Sequence, residues 1–287
     1  MPSLIPSASC RMRTIQCVSF DVPMRVEVGS DELFTALPHL LPFATEMNSA
    51  PAAEAESFTL LPPGNQHGYR CFAGTELTGE SAESGPVLEQ FARDLMIHVA
   101  NFCPDRVFVH AGVVGWENMA LVLPGTSFAG KTTLTAVLVR AGATYYSDEF
   151  AVVDQVGWVH PYARDLRMRE QGRPEQRSTP VGSLNDHAVT APLRVRQVVF
   201  ARYELGAQWS PQPVSPGMAV LEMLRHSIQV QRVPSRVMST LTAMVDGATA
   251  RRSARGEADS VAHSLLQSLS LLHVHETLTS RQEGAVA

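Results

Sequence analysis

Residues 119–132 read MALVLPGTSFAGKT, an apolar run followed by a glycine-rich segment that ends in lysine and threonine. The glycine-rich segment, residues 125–132, fits G-x-x-x-x-G-K-[ST] at every fixed position. The apolar run predicts a buried β-strand, and apolar residues at helical spacing between Thr132 and Gly142 predict an α-helix. The sequence therefore predicts a strand, a tight loop and a helix in succession.

The glycine-rich segment has the pattern of an anion-binding loop. Backbone N–H groups of such a loop and the first turn of the following helix form a concave site that favours phosphate. By the same pattern, Lys131 reaches the β- and γ-phosphates of a nucleotide and the Thr132 hydroxyl binds Mg²⁺. The alternative is a chance match, in which a glycine-rich turn carries an exposed lysine. The residues expected to bind the nucleotide are Gly125, Thr126, Ser127, Phe128, Ala129, Gly130, Lys131, Thr132 and Thr133.

Lys131 is unusual within the composition of this chain. Of the 23 Lys and Arg residues, it is the one lysine, and all the others are arginine. A general preference for arginine does not explain the exception. Lysine carries a compact ammonium on a flexible chain, whereas the guanidinium of arginine is broad and planar. We therefore expect Lys131 to occupy a position that a guanidinium would not fit.

Two β-like regions on either side of this segment carry further candidate residues. Residues 144–154 form two short apolar segments separated by Ser147, Asp148 and Glu149. Carboxylates at such a strand end suit a metal ion or a catalytic base, although adjacent acids also occur simply in exposed turns. Upstream, the β-rich segment 107–114 places His110 in the same sheet, either as a catalytic residue or as a hydrogen-bonded structural one.

The overall composition is that of a globular protein of 287 residues, 45% hydrophobic and 18% charged, with a net charge of −5. The acidic balance argues against nucleic acid as a partner. No apolar run reaches the roughly 18 residues of a membrane span, and the N-terminus lacks the apolar core of a secretory signal. Four scattered cysteines without a C-x-x-C pair predict buried free thiols. We therefore expect a cytoplasmic protein without a membrane or nucleic-acid partner.

Three segments taken together resemble a known family. Residues 109–113 (VHAGV), the glycine-rich segment and residues 147–149 (SDE) occur in the order and spacing of the C-terminal catalytic domain of HPr kinase/phosphorylase and its relatives. The resemblance covers residues 105–165 well, and the chain to about residue 270 as a pattern of strands and helices. It implies an α/β P-loop kinase core of the type shared with ATP-dependent phosphoenolpyruvate carboxykinase, with ATP and Mg²⁺ as cofactors.

The resemblance also implies roles for individual residues. Asp148 would accept the proton of an attacking hydroxyl, as phosphoryl transfer requires. The implied catalytic residues are Asp148, His110, Lys131 and Arg164. The implied metal ligands are Thr132, Asp148 and Glu149. Arg167 and Arg169 follow Arg164 at strand spacing and would also lie near the phosphates, the alternative being a solvated arginine surface.

The chain departs from the family pattern at two site positions. Phe128 stands where the loop usually carries glycine, and Glu149 stands where the second acid is usually Asp. The Glu-[Ile/Val]-Arg-Gly-type segment that typifies HPr kinases after the acid pair is absent. We therefore expect neither HPr as the substrate nor phosphorylase activity. Relatives form hexamers, so the resemblance leaves a homo-oligomer open.

The sequence predicts two lobes and a tail. Residues 1–85 contain short β-like runs between segments rich in Pro, Ser and Gly, and predict a small β-rich N-terminal lobe. Residues 86–275 predict the catalytic domain, which begins with an amphipathic helix over 86–102 and ends in C-terminal helices. The last residues, 276–287, predict a frayed tail.

Local signals place further elements within the second lobe. Ser215, followed by Pro216, and Ser235 predict two helix starts, and a last helix is expected over 257–271. The aperiodic segment 170–192 predicts either a lid over the active site or a surface loop. Both alternatives put it outside the core.

The function expected from these observations is ATP- and Mg²⁺-dependent transfer of the γ-phosphoryl group to a hydroxyl. The acceptor would be a serine of a protein or peptide, or a small molecule. The alternative is a regulatory module that binds a nucleotide without transferring phosphate, for which the base Asp148 would be unnecessary. Carboxykinase chemistry would require an organic-acid site, which the sequence does not indicate.

Overall fold

The computed structural model describes residues 12–47, 54–125, 130–163, 166–169, 176–179 and 191–284. For residues 166–169, 176–179 and 275–284 it describes the backbone alone. The chain divides into two compact units, residues 1–104 and residues 105–287. Each unit has its own β-sheet.

The first unit is built on a six-stranded sheet. Its strands are β1 (Arg13–Ser19), β2 (Val22–Val28), β3 (Glu46–Met47), β4 (Glu56–Leu61), β5 (Tyr69–Ala73) and β6 (Glu76–Ser81). Their order is β3-β1-β2-β4-β5-β6, with β2 and β4 parallel and the other neighbours antiparallel. Every second residue of β2 is buried, because successive side chains of a strand point to opposite faces.

The described part of the first unit contains two α-helices. They are α1 (Asp31–Ala36) and α2 (Ser84–Phe102). Helix α2 packs on β4, β5 and β6 and buries Val87, Phe91 and Leu95. The sequence assigned this helix to the catalytic domain, starting near residue 86. The structure places it in the first unit, because its apolar stripe is buried against that unit's sheet.

The second unit contains a mixed eight-stranded sheet and a separate hairpin. Its strands are β7 (Arg106–Trp116), β8 (Met119–Pro124), β9 (Thr144–Ser147), β10 (Phe150–Asp154), β11 (Trp158–His160), β12 (Leu166–Arg169), β13 (Gln176–Thr179), β14 (Leu193–Tyr203), β15 (Gln212–Val214) and β16 (Thr249–Arg255). The main order is β11-β10-β7-β8-β14-β16-β15, with β9 also paired to β7, and β12 pairs with β13. The strands β8, β14 and β16 are parallel, so their carboxyl ends lie at one edge of the sheet.

Helices cover both faces of this sheet. They are α3 (Lys131–Arg140), α4 (Pro216–Leu224), α5 (Pro234–Val245) and α6 (Ala258–Gly284). One face packs against α4 and α5 around Val109, Val122 and Leu241. The other packs against α3 and α6, with Leu121 and Leu134 in its core. The result is a three-layered α/β unit, and the expected mixed α/β class is confirmed.

Several predicted elements are confirmed. The apolar run before the glycine-rich segment is β8, and the residues after it form α3. The acid pair lies between β9 and β10. Ser215 caps α4, because its hydroxyl accepts the N–H of Met218 at 3.4 Å.

Two predicted helix boundaries are wrong. Ser235 does not cap α5: this helix begins at Pro234 with Val233 at the cap, since proline at the first helical position needs no N–H partner. Helix α6 extends to Gly284 rather than ending near residue 271. Residues 272–283 contain neither glycine nor proline, so nothing in the local sequence stops the helix. The backbone of residues 276–284 is therefore helical, and residues 285–287 of the expected tail lie outside the described residues.

The segment 170–192 is only partly described. Residues 176–179 form β13, which pairs with β12 in a regular antiparallel register, so the segment contains a short strand that its sequence does not indicate. The choice between a lid and a surface loop for the rest of the segment falls outside the described residues, apart from 191 and 192. Among the described cysteines, Cys17, Cys71 and Cys103 are buried free thiols, as predicted. No helix in the described part of the chain is long and apolar enough to cross a membrane.

Candidate active site

The glycine-rich segment leaves the sheet at the carboxyl end of β8 and ends in the first turn of α3. Gly125 is held by the sheet, because its N–H donates to the carbonyl of His110 at 3.3 Å. Gly130 has a φ of +78°, in the left-handed region that favours glycine. Of the residues expected to bind the nucleotide, Thr126, Ser127, Phe128 and Ala129 lie outside the described residues.

Lys131 is buried at the start of α3, with 8% of its surface exposed. Its Nζ donates to the carbonyl of Gly125 at 2.7 Å. The lysine side chain therefore connects the end of the glycine-rich segment to its beginning. Burial lowers the pKa of Lys131 to about 8, although the nearby charges of Glu149 and Asp148 oppose this shift. Lys131 is therefore buried, whereas a chance match of the glycine-rich pattern would carry an exposed lysine.

Asp148 lies in the turn between β9 and β10, close to the start of α3. Tyr145 donates a hydrogen bond from its hydroxyl to Oδ1 of Asp148 at 2.9 Å. Burial raises the pKa of Asp148 to about 6; hydrogen bonds from Tyr145 and Thr132 oppose this rise, and the charge of Glu149 adds to it. A carboxylate that titrates this close to neutral pH is suited to accept and release a proton.

His110 is joined to Glu149 across the β7–β10 pair. Its Nδ1 lies 2.9 Å from the backbone carbonyl of Glu149 and 3.6 Å from Oε1 of the same residue. Because a carbonyl oxygen only accepts, Nδ1 carries the proton and Nε2 is the acceptor. Burial and the charge of Lys131 lower the pKa of His110 to about 4, with the bond to Glu149 opposing them. His110 is therefore a neutral imidazole at physiological pH.

Ser147 shapes the turn that presents the acid pair. Its hydroxyl accepts the N–H of Glu149 at 3.1 Å and the N–H of Phe150 at 3.0 Å. A serine that binds the backbone two and three residues ahead stabilises a tight turn. The two carboxylates are consequently carried by a turn that the Ser147 hydroxyl holds together.

Gly112 has a packing role in the segment that carries His110. A Cβ at this position would lie 2.5 Å from the hydroxyl oxygen of Thr135 in α3. Because glycine has no side chain, α3 can approach β7 closely. The glycine therefore helps to bring the start of α3 toward His110, without contributing a functional group itself.

The structure adds His226, which the sequence analysis missed. It follows α4, and its backbone carbonyl accepts the N–H of His110 at 2.7 Å. The pKa of its imidazole is lowered by burial and by the charges of Lys131, His110 and Arg225. No local motif marks this histidine, and more than a hundred residues separate it from His110.

Arg255, at the end of β16, is the second residue that the sequence analysis missed. One of its terminal nitrogens donates to the carbonyl of Gly130 at 2.8 Å. The parallel pairing of β16 with β14, and of β14 with β8, brings the end of β16 to the same edge of the sheet as the glycine-rich segment. In the sequence it is one arginine among many.

The predicted metal ligands are brought together with the lysine. Thr132 is half-buried and hydrogen-bonds to Asp148, and Glu149 is adjacent. A hydroxyl and two carboxylates suit Mg²⁺, which commonly takes one or two carboxylates with phosphate and water as its other ligands. The described residues contain no cluster of three or more His, Cys, Asp or Glu that could hold a metal ion.

For the other predicted site residues the described structure gives less information. Thr133 is exposed, and Arg164 lies outside the described residues. Arg167 and Arg169 lie in β12, for which the backbone alone is described. Comparison with known proteins adds no identification, because neither a protein-family model nor a curated protein matches this chain.

Proposed function

We propose that this chain is an ATP- and Mg²⁺-dependent kinase that transfers the γ-phosphoryl group to a hydroxyl. The observation that carries the proposal is the convergence of four predicted residues from three parts of the chain: Lys131, His110, Asp148 and Glu149. We further propose that the second unit is a P-loop kinase core of the HPr kinase and phosphoenolpyruvate carboxykinase type, in line with the sequence resemblance. The buried free thiols and the need for ATP support a cytoplasmic location.

The electrostatics at the start of α3 support the binding of a triphosphate. The N-terminus of a helix carries a partial positive charge and unpaired N–H groups, and α3 has no side-chain cap at Gly130. Lys131 adds an ammonium at the first helical position. In its present hydrogen bond to Gly125 the ammonium is satisfied by a neutral carbonyl, which a phosphate oxygen would replace with a stronger, charge-assisted partner.

The acid pair supports transfer rather than binding alone. In the proposed step, the acceptor oxygen attacks the γ-phosphorus, and the bond from that phosphorus to the β,γ-bridging oxygen breaks with its electron pair leaving on ADP. The hydroxyl proton passes to Asp148, which is mostly ionised at neutral pH because its pKa is about 6. Tyr145 orients this carboxylate through its hydrogen bond to Oδ1.

Lys131 and His110 have different parts in the proposed step. Lys131 balances the negative charge of the phosphates, as phosphoryl transfer requires. Neutral His110 presents Nε2 as a hydrogen-bond acceptor and is not a proton donor at pH 7, because its pKa is about 4. Thr132, Asp148 and Glu149 would hold Mg²⁺, which, when bound, neutralises phosphate charge.

The experiment has a binding stage and a transfer stage. ATP and MgCl₂ are titrated into the purified protein by calorimetry at pH 7.5. The protein is then incubated with γ-³²P-labelled ATP and three probes: free L-serine, an array of serine-containing peptides, and water alone as the acceptor of hydrolysis. We expect saturable binding of ATP and a labelled product with at least one hydroxyl acceptor.

Two results would contradict the proposal in different ways. If neither ATP, GTP nor ADP produces heat with Mg²⁺, nucleotide binding is refuted. If ATP binds tightly but neither transfer nor hydrolysis occurs, the chain is a nucleotide-binding regulatory module and not a kinase. The pKa of Asp148 favours the kinase, because a regulatory module does not need a base.

A further inference from the structure

Two charged side chains are buried among the described residues, Lys131 and Arg255. Both donate to carbonyls of the glycine-rich segment. Lys131 binds the carbonyl of Gly125 at its beginning, and Arg255 binds the carbonyl of Gly130 at its end. The sequence pattern explains the lysine, whereas no motif explains the arginine.

The guanidinium of Arg255 is held by two backbone carbonyls. It has 1% of its surface exposed, and no carboxylate within the described ranges forms a salt bridge with it. Its terminal nitrogens donate to the carbonyls of Gly130 and Gly256, each at 2.8 Å, and its Nε is buried without a hydrogen-bond partner. Tyr203 lies against the guanidinium, with its ring centroid 5.5 Å from Cζ, and directs its own hydroxyl to Glu257 at 3.0 Å.

A buried cation in this position is electrostatically unfavourable in the absence of an anion. Burial removes the hydration of the guanidinium, and the positive end of α3 lies close by. Accordingly, burial lowers the pKa of Arg255, although Glu257 and Tyr203 oppose the shift. An anionic ligand at the start of α3 would interact favourably with both Lys131 and Arg255.

Arg255 also constrains the backbone of the glycine-rich segment. The carbonyl that it binds, that of Gly130, accepts the N–H of Leu134 at 3.1 Å as the first hydrogen bond of α3. A Cβ on Gly130 would lie 2.5 Å from the terminal nitrogen of Arg255 and 3.3 Å from Cβ of Tyr203. The guanidinium is therefore packed against this glycine, so that it supports both its left-handed conformation and its carbonyl orientation.

We propose that Arg255 is a positioning residue of the nucleotide site, which fixes the Gly130 carbonyl and adds a permanent positive charge beside the phosphates. This inference rests on the proposed function. Arg255 acts through Gly130, and the effect is to keep the N–H groups of the first turn of α3 directed toward the ligand. The ligand class that it selects is a polyphosphate, because a guanidinium and an ammonium together oppose several negative charges.

The test compares Arg255→Gln and Arg255→Lys with Arg252→Gln as the matched control. Arg252 lies three residues earlier on the same strand, is exposed, and pairs with Glu222. Calorimetry with ATP and MgCl₂ gives Kd, thermal unfolding gives Tm, and transfer assays separate kcat from KM. For Arg255→Gln we expect a Kd for ATP that is at least about tenfold higher, in the range of a hydrogen bond to a charged group. Arg255→Lys restores the charge and should recover part of the affinity, whereas Arg252→Gln should bind as the wild type does.

A structural role alone has a different signature. In that case the Arg255 variants would unfold at lower temperature, but the folded protein would bind ATP with unchanged Kd, which would overturn the inference. If Arg255→Gln does not fold, the Kd of Arg255→Lys for ATP decides between the two roles. Lysine keeps the positive charge but cannot donate to the carbonyls of Gly130 and Gly256 as the guanidinium does. Wild-type protein that binds no nucleotide refutes the proposed function together with the inference, whereas wild-type binding with unchanged Arg255 variants refutes the inference alone.

Discussion

The two units of the chain bury different kinds of side chain. In the described part of the first unit, the buried side chains are apolar groups and thiols apart from Ser19; Phe58, Leu60 and Cys71 are examples. The second unit buries Lys131 and Arg255 as well as hydroxyl and amide side chains. Burial of a charge lowers stability unless other groups compensate for the lost hydration. The first unit thus follows the rule for an apolar core. The second unit departs from this rule most clearly at the sheet edge where β8 and β16 end, since both buried cations lie there.

Burial also shifts pKa values in both units, with opposite chemical consequences. It raises the pKa of Cys17 to about 11, so this thiol stays protonated and unreactive. It moves Lys131 to about 8 and Asp148 to about 6, both toward neutral pH. Burial by itself therefore does not create a functional site; the ionisable groups must also converge on one another.

The largest expected effect on chemistry belongs to Asp148→Asn. This change removes the proposed base while preserving the size of the side chain, so phosphoryl transfer should fall by about 10²–10⁴-fold. Binding of ATP with Mg²⁺ should weaken by a smaller factor, because one proposed metal ligand is lost, whereas binding of ATP with excess EDTA should be largely retained. The measurement is transfer from γ-labelled ATP, with Asp246→Asn, an exposed residue at the end of α5, as the control. Full activity in Asp148→Asn would mean that the base is misassigned.

Lys131→Ala should have the next largest effect, on binding. Loss of a charged hydrogen bond to phosphate should raise the Kd for ATP by roughly 10- to 150-fold, which corresponds to about 1.5–3 kcal/mol. Arg140→Ala, an exposed cation at the far end of the same helix, should leave Kd unchanged. Equal losses in the two variants would indicate a general effect of charge on α3 and not a specific phosphate contact.

The pH dependence of binding gives a smaller, gradual effect. In the proposed site the ammonium form of Lys131 binds phosphate, and burial lowers the pKa of this residue in the free protein to about 8. Above pH 8 the protein must take up a proton on binding, so Kd should rise by about tenfold per pH unit there, and be nearly constant below it. Calorimetry between pH 7 and pH 9 measures this, and the slope should disappear in Lys131→Ala. A flat profile in the wild type would contradict the assignment.

Thr132→Ala tests the metal site and should have a modest effect. Loss of the hydroxyl should weaken ATP binding with Mg²⁺ by about two- to tenfold, the range of a single polar contact. Binding with excess EDTA should change less, so the same variant without metal is its own control. Equal losses in both conditions would refute a role for Thr132 as a metal ligand.

The smallest expected effect on nucleotide binding comes from the first unit. Leu60→Ala removes a fully buried side chain from its sheet and should lower its free energy of unfolding by about 2–5 kcal/mol. The Kd of the folded protein for ATP should not change. Thermal unfolding and calorimetry on the same sample test this. A large change in the Kd for ATP would contradict this prediction, because it would show that the first unit also affects nucleotide binding.

Local elements of the second unit were predictable because their signals are contiguous. The strand and helix on either side of the glycine-rich segment follow from apolar periodicity, and the turn at Asp148 and Glu149 follows from polar residues between two apolar runs. Boundaries failed where a local preference competed with a stronger one, as at Ser235, which the neighbouring proline displaced from the cap. The membership of α2 could not be read locally, because it depends on which sheet its apolar face meets.

The chain alone indicated which residue types are suited to phosphate chemistry and where each lies along the sequence, because the lysine, threonine and acids occur within short motifs. Only strand pairing and helix packing could show which of them meet. His110 and Glu149 are 39 positions apart, and Gly130 and Arg255 are 125 apart. Contacts at such separations arise from the register of β7 with β10 and from the parallel order of β8, β14 and β16. Burial, and with it the shifted pKa values of the site, appears only once those layers are assembled.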